Sequence, residues 1–409
     1  MGRRIALLLV SLLVPCALQA QVTIQHGNTL SDLINNLYGG DGIQLADTGH
    51  QAHFGQTGDL QAFTRTLQSV LQARSFFPIP SAVGLVSYHF DETTGTYQRI
   101  QGALGPVLSE RGSTTGKGNL NLSFSYTFAD YQQIAGNDTA ELVLPHCLTV
   151  ACTGGHSDAA YLNDTIHVQL HFRLKSQALT FAAVYGVSNN FDLGLVVPYE
   201  RNDLQVFTHA FVVVSPGSSP AIHHFDPTVE TPDQSGTGTA VGIGDITARG
   251  KYRLPLHGVD SAAMVDLTLP TGDKENFLGT GHTRLRASYI ASKSLKRFTP
   301  HLNAGYEVEF GQTKLDAFAY TLGTEILASP KLTLTTDLIG VVRPRGADAF
   351  VSPVLPNVQL VGRSEIDGAL GGKWKLGVDR AFLFNLLLPL NKTGIRPLYV
   401  VTAGLQGTM

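Results

Sequence analysis

Several stretches of this chain place ionisable side chains at every second position. Asp245, Arg249, Lys251 and Arg253 alternate with Ile246, Ala248, Tyr252 and Leu254. Asp266 follows in MVDLTL, and Arg284 and Arg286 oppose Leu285 and Ala287. His301, Glu307 and Glu309 alternate with Leu302, Tyr306 and Phe310, while Glu365, Asp367, Lys373 and Lys375 oppose Ile366, Trp374 and Leu376. In TIHVQLHFRLK, His167, His171 and Arg173 alternate with Ile166, Val168, Leu170, Phe172 and Leu174. A period of two puts each polar set on one face of a strand. Two chemistries fit such faces: opposite charges that pair and brace a wall, or a charged constriction that filters solutes. The histidines could in addition titrate or hold a ligand.

Other chemistry is thinly represented. Cys147 and Cys152, in HCLTVAC, read as a candidate disulfide closing a small loop, with a metal site at His146 and His156 as the weaker reading. The GIGD stretch is not a dinucleotide loop, because Thr247 and Arg249 continue a strand where a helix should start. No GxSxG elbow appears, so no catalytic residue, cofactor or metal is assigned and the chain is expected not to be an enzyme. A net charge of −3 gives no reason to expect nucleic acid as a partner.

These faces need elements to carry them. NLNLSFSYTF sets Leu120, Leu122, Phe124, Tyr126 and Phe128 against Asn119, Asn121, Ser123, Ser125 and Thr127. Residues 1–20 hold Arg3, Arg4, an apolar run from Ile5 to Leu13, and Ala20, the layout of a secretory signal peptide. No later segment has the roughly 18 apolar residues that a membrane helix requires. Only 15% of residues are charged, against about 25% in soluble domains. With a mean hydropathy of +0.06, this suits a wall whose lipid and lumen faces average out. Charge on a lipid face costs roughly 2–4 kcal/mol near mid-membrane for Arg or Lys. The expectation is therefore an all-β fold, a closed antiparallel transmembrane β-barrel in the outer membrane, apolar outside and charged inside. Its lumen would be lined by His167, His171, Arg173, Asp245, Arg249, Lys251, Asp266, Arg284, Arg286, His301, Glu307, Glu309, Glu365 and Asp367.

Residues 21–116 break the alternation. Leu60, Phe63, Leu67, Val70 and Leu71 keep helical spacing, a shorter helix is expected over Leu30 to Leu37, and GLVSYHF and TYQRI flank a hairpin turn at DETTG. This partly helical segment reads as a plug or a periplasmic module, and residues 117–409 as the barrel. Long loops over 129–162, 214–242, 270–281 and 344–361 alternate with short turns near 186–190, 255–258, 293–298, 328–331 and 376–379. That is the parity of external loops and periplasmic turns. It gives about twelve strands; splitting the two longest gives fourteen. Pro198 falls inside one of them, where a kink or bulge is expected.

YGVSNNFDLGLVVPYE, GIGDITARGKYRL, and LTLPTGDKENFLGTG with HLNAGYEVEF resemble the bacterial outer-membrane family named for the meta-pathway of phenol degradation, over about residues 117–409. The resemblance implies a monomeric outer-membrane barrel surrounded by lipid, and links it to passage of aromatic or other hydrophobic small molecules. The motif residues themselves (Gly242, Gly244 and Pro270 to Asp273) read as structural, serving a strand entry and a loop exit. The leading expectation is a channel or transporter. A barrel with a loop-mediated binding or anchoring role is the alternative, and a lipid-acting barrel enzyme the weaker one.

Overall fold

A computed structural model describes residues 21–24, 28–37, 45–46, 81, 88–91, 96–99, 103–145, 164–216, 223–225, 233–256, 258–311, 313–345 and 363–409. The signal-peptide reading, the helix expected over 60–71 and the Cys147–Cys152 pair lie outside these residues. No helix among them is long and apolar enough to cross a membrane.

Strands dominate. Four short elements come first: β1 (Gln21–Ile24), helix α1 (Leu30–Asn35), and the hairpin β2 (Tyr88–Asp91) and β3 (Thr96–Arg99). Thr29 caps α1 through a capping box with Asp32. The wall follows as β4 (Leu120–Ile134), β5 (Ala140–Pro145), β6 (Thr165–Gly186), β7 (Phe191–Val213), β8 (Asp233–Ile243), β9 (Ile246–Leu254), β10 (Asp260–Leu269), β11 (Arg284–Ser292) and β12 (Phe298–Glu309). It ends with β13 (Ala317–Ser329), β14 (Leu332–Val342), β15 (Ser364–Lys375), β16 (Arg380–Pro389) and β17 (Ile395–Thr408).

Each wall strand pairs antiparallel with its neighbour, and β17 returns to β4, which pairs with β6. Leu120 and Met409 exchange backbone hydrogen bonds at this seam, of 2.9 and 2.8 Å. The barrel closes, which leaves no free edge among its spanning strands. β8 and β9 act as one strand: β7 pairs with β9 over Phe191–Val196 and with β8 over Tyr199–His209. The break falls at Gly244 and Asp245, opposite Pro198, and the Gly244 N–H bonds the Pro198 carbonyl at 3.0 Å. β7 runs unbroken through Pro198, whose missing N–H is matched by the gap in its partner. Counted this way the barrel has twelve strands. β5 and β1 are additions, β5 pairing with β6 over Thr165–Leu170 and β1 with β8 over Gly238–Val241.

The two faces of each strand differ as the alternation requires, but their chemistry changes along the strand. On β4, Asn121, Ser123, Ser125 and Thr127 are buried inward, while Phe124 and Tyr126 are exposed outward. On β6 the buried inward set is continuous from Ile166 through Leu174, Ser176 and Ala178 to Val184. Its outward set reads His167, Gln169, His171, Arg173, Lys175 and Gln177, then turns apolar at Leu179, Phe181 and Tyr185. β7 turns at the same level, with Leu193, Leu195 and Tyr199 below Arg201, since Gln177 pairs with Arg201 and Leu179 with Tyr199. Below that line the outer face is a lipid belt. Above it the sheet β5-β6-β7-β8-β1 continues beyond the belt, with charged, polar and aromatic side chains outside and apolar ones inside.

The inner apolar face of this extension is covered by the chain's own N-terminal residues. Leu30, Leu33, Leu37 and Leu45 pack into one core with Ile166, Val168, Leu170, Phe172, Leu204, Val206 and Ala240. Strand phase therefore holds along β6 as the sequence implies, but the apolar side of TIHVQLHFRLK is the core side and not the lipid side.

Candidate functional site

The lumen is closed by two internal segments with a cavity between them. The lower segment is a strap, residues 104–116, buried throughout except for half-buried Leu108. It crosses the end of the barrel that carries the short turns. Leu104 N–H bonds Thr333 Oγ1 at 2.9 Å, Gly112 N–H bonds Ser292 Oγ at 3.1 Å, and Thr115 N–H bonds Asp192 Oδ2 at 2.9 Å. Glu110 and Asn303 exchange two bonds, of 2.7 and 3.0 Å. Gly112 lies so close to the wall that a Cβ would sit 2.1 Å from the Asp260 carbonyl oxygen, so only glycine fits.

The strap carries its own charges into the barrel. Arg111 forks onto Glu325, with Nε donating to Oε1 at 2.7 Å and Nη2 pairing with Oε2. His301 Nε2 lies 2.7 Å from the same Oε1. Glu110 meets Arg249 at 2.8 Å and Lys251 at 3.5 Å. Taking charge out of water is tolerable only when partners replace the lost hydration, and here the wall supplies them.

The upper segment is the loop 270–281, folded inward so that Asn276, Phe277, Leu278 and Thr280 are buried. Asp245 is its latch: its carboxylate accepts from Gly272 N–H at 3.1 Å, Thr280 N–H at 2.9 Å and the Thr280 hydroxyl at 2.9 Å. A Cβ on Gly279 would stand 2.3 Å from Asp245 Oδ1, so this approach needs glycine. The GIGD and LPTGD stretches are thus two halves of one fastening. From above, Leu30 N–H bonds Asn276 Oδ1 at 3.1 Å and Ser31 Oγ bonds the Glu275 carbonyl at 2.9 Å, seating α1 on the loop. At the end of this loop, partial burial and the Lys274 ammonium hold the His282 imidazole below its usual range.

Between strap and loop lies a cavity of about 290 Å³. Leu108 and Glu110 of the strap and Leu278 of the loop border it. Tyr131, Val196, Met264, Ile339, Leu387 and Val400 give it apolar wall. The charged wall is ordered by register: Arg249, Asp266, Arg286 and Glu307 stand directly opposite one another on β9, β10, β11 and β12. Arg249 Nε bonds Asp266 at 2.7 Å, and Arg286 Nη2 reaches Glu307 at 2.7 Å, with Arg284 3.9 Å from the same carboxylate. Arg343 pairs with Glu365 at 2.6 Å, and Arg396 lies 3.6 Å from Glu365 and bonds Asp367.

Of the residues expected in the lumen, Asp245, Arg249, Asp266, Arg284, Arg286, Glu307, Glu365 and Asp367 border the cavity. Lys251, His301 and Glu309 are buried on the inward face outside it. His167, His171 and Arg173 are a correction: they share the outward face of β6 with Leu179 and Phe181, above the belt, where water rather than a lumen solvates them. His167 pairs with Glu141 at 2.6 Å, and Arg173 with Asp130 at 2.6 Å. Sequence reasoning missed the strap pair Glu110 and Arg111, and the wall residues Glu325, Arg343 and Arg396. The adjacent charges Glu110 and Arg111 inside the Gly/Ser-rich run LSERGSTTGKG were the available signal.

His223, Asp164 and Ser215 also converge. Asp164 accepts from Ser215 Oγ at 2.9 Å and lies 2.7 Å from His223 Nδ1. The carboxylate stands in the middle and ties Ser215 and residue 223 to the start of β6. Among the described residues no group of three or more His, Cys, Asp or Glu could hold a metal ion.

Residues 157–337 match the family described as "Putative MetA-pathway of phenol degradation". No curated protein matches the chain. Among solved structures it is similar to the toluene transporter TbuX of Ralstonia pickettii, at 12% identity over 72% of this chain and 90% of that one, with a TM-score of 0.35. It is similar also to a FadL homologue of Pseudomonas aeruginosa, at 11% identity over 71% and 89%, with a TM-score of 0.31. The outer-membrane channel DcaP of Acinetobacter baumannii gives 10% identity over 71% and 98%, with a TM-score of 0.29. Likenesses this distant carry nothing about what passes through this barrel.

Proposed function

Residues 157–337 of this twelve-stranded barrel carry the family match, and we propose that the protein is an outer-membrane channel for small, largely apolar solutes, aromatic compounds among them. The observation that carries the reading is the cavity between two internal closures, lined by both apolar and salt-bridged side chains. A wall built only for rigidity would be packed solid, since interiors hold few voids larger than a water molecule. About 290 Å³ falls at the low end of small-molecule pockets, roughly 300–1,000 Å³.

The charged wall suits an uncharged solute better than an ion. Five arginines and seven carboxyl groups border the cavity, and every arginine there has a carboxylate within ion-pair distance. An entering anion would meet a carboxylate beside every one of these arginines. An aromatic ring on the apolar wall, with a hydroxyl toward the paired charges, carries no charge for it to repel. The long-loop rim faces outward under this reading, the short turns face the periplasm, and a single chain suffices to form the conduit.

Proteoliposomes holding the full chain, and a chain lacking residues 104–116, test this with phenol, benzoate and glucose as solutes. Phenol entry above the protein-free rate, raised further by the deletion, is expected. Equal rates with and without protein for every solute, in both forms, would leave the loop-mediated binding role as the better account.

A further inference from the structure

The outer face of β6 and β7 is layered along its height. The lipid belt ends at Leu179 and Tyr199. Immediately above stand Arg201, Lys175 and Arg173. Arg173 and Arg201 use Nε and Nη2 on Asp130 and Asp203, which fixes each guanidinium plane and turns the Nη1 edge away from the carboxylate. Their side chains remain 42% and 51% exposed. At the boundary Tyr126 donates its hydroxyl to Gln177 at 2.9 Å.

Higher still the face becomes aromatic. Phe207 is 42% exposed, at a height where lipid tails cannot cover it. His171 lies against Phe207, with ring centroids 6.1 Å apart, and Phe211 lies between His167 at 5.3 Å and His209 at 5.8 Å. The carboxylates of Glu141 and Asp233 flank these histidines at 2.6 and 2.5 Å. Flat apolar ring faces beside carboxylates and imidazoles suit a sugar, whose C–H face stacks and whose hydroxyls need both donors and acceptors.

From Leu179 to His167 the strand climbs about 40 Å along its axis, or roughly 30 Å of height at the usual tilt. Apolar belt, fixed cations and aromatic-polar face therefore follow one another in the order of acyl chains, phosphates and sugars. We propose that the outer face of β6 and β7 docks a phosphorylated glycolipid of the surrounding leaflet, phosphate on Arg201, Lys175 and Arg173, and sugars on Phe207 and Phe211. This rests on the barrel spanning the outer membrane with its long-loop rim outward, but not on what the cavity conducts.

The test is retention of lipid by the full-length protein in detergent, read by native mass spectrometry. The probes are a phosphorylated glycolipid with its core sugars, the same molecule dephosphorylated, and phosphatidylglycerol. Lys175→Glu with Arg201→Glu is expected to cut retention of the intact glycolipid at least tenfold, and dephosphorylation to do the same. Phe207→Ala with Phe211→Ala should lower glycolipid retention severalfold and leave phosphatidylglycerol unmoved. Retention within twofold of the parent after the charge reversal, or phosphatidylglycerol held as well as the glycolipid, would overturn the proposal. Heat-modifiable migration checks that each variant still forms a barrel. Phenol entry, which none of these residues should alter, separates failure here from failure of the channel reading.

Discussion

Replacing Arg111 by alanine tests the strap as a closure. Arg111 is 4% exposed and Glu325 fully buried, and their forked pair is the strap's charged anchor to β13. Removing one member of a buried pair costs roughly 3–5 kcal/mol, because the other charge is left without compensation. Here the cost need not unfold the barrel, since the β13 ladder to β12 and β14 is made by backbone groups and persists. The strap can instead withdraw and let water reach Glu325. At about 1.4 kcal/mol per decade, the closed-to-open ratio should fall on the order of 10²–10³-fold. Single-channel recording in planar bilayers should show long open dwells for Arg111→Ala where the parent shows brief ones. A thiol placed at Ser109, buried in the parent, should react with a soluble maleimide only in the variant. Arg111→Met combined with Glu325→Leu removes both charges and should return the channel toward the closed state, because no unpaired carboxylate is left, although the Gly105 N–H and the His301 ring lose a partner. Unchanged dwells together with an unreactive thiol would refute the anchor, and an open double variant would refute the charge argument.

Three further outcomes follow from the same geometry. Asp245→Asn keeps one acceptor oxygen but loses the charge that gathers three donors, each such bond contributing roughly 1.5–3 kcal/mol; open-channel noise should rise and protease should cut within 270–281. Phe181→Arg, in the lipid belt, should destabilise the barrel by about 2–4 kcal/mol in urea unfolding from vesicles, while His171→Arg, above the belt, should shift it by less than about 0.5 kcal/mol. Leu278→Trp should fill the upper part of the cavity and slow phenol entry without changing barrel stability, which comparison of uptake and heat-modifiable migration would show.

The sequence exposes the barrel because strand alternation is local: each of the twelve strands shows its two faces without reference to any other. Loop parity adds the count, and the motifs flanking Gly244 and Pro270 mark real irregularities of the wall. What alternation cannot reveal is which side of a strand is wet. On β6 the same phase runs from Ile166 to Val184, yet the outward set changes from Tyr185, Phe181 and Leu179 to Arg173, His171 and His167. The apolar side of the upper half is buried by Leu30, Leu33 and Leu37, more than 120 residues earlier in the chain, and no periodicity within β6 carries that information. The strap was hidden for a related reason. Residues 104–116 form neither helix nor strand, so they have no period to detect, and their fit depends on Glu325, Asn303 and Ser292 far along the chain.

The two closures differ in how they can yield, and the difference bears on how a solute would pass. The strap is held along its length, from Thr333 on β14 to Asp192 on β7, so releasing one end leaves the other tied. The loop hangs from Asp245 at one side and takes α1 on the other, through Asn276 and Glu275. α1 has only six residues, too short for a helix stable on its own, and it depends on the core under β6 to β8. Local opening draws on the least stable units, and the upper closure is built from one while the strap is pinned by buried charge. Solute entry should therefore begin by displacement of α1 and the loop, with the strap yielding second. A disulfide between Ser31→Cys and Glu275→Cys should block phenol entry when oxidised and restore it when reduced. Uninterrupted entry through the oxidised form would place the first step elsewhere in the wall.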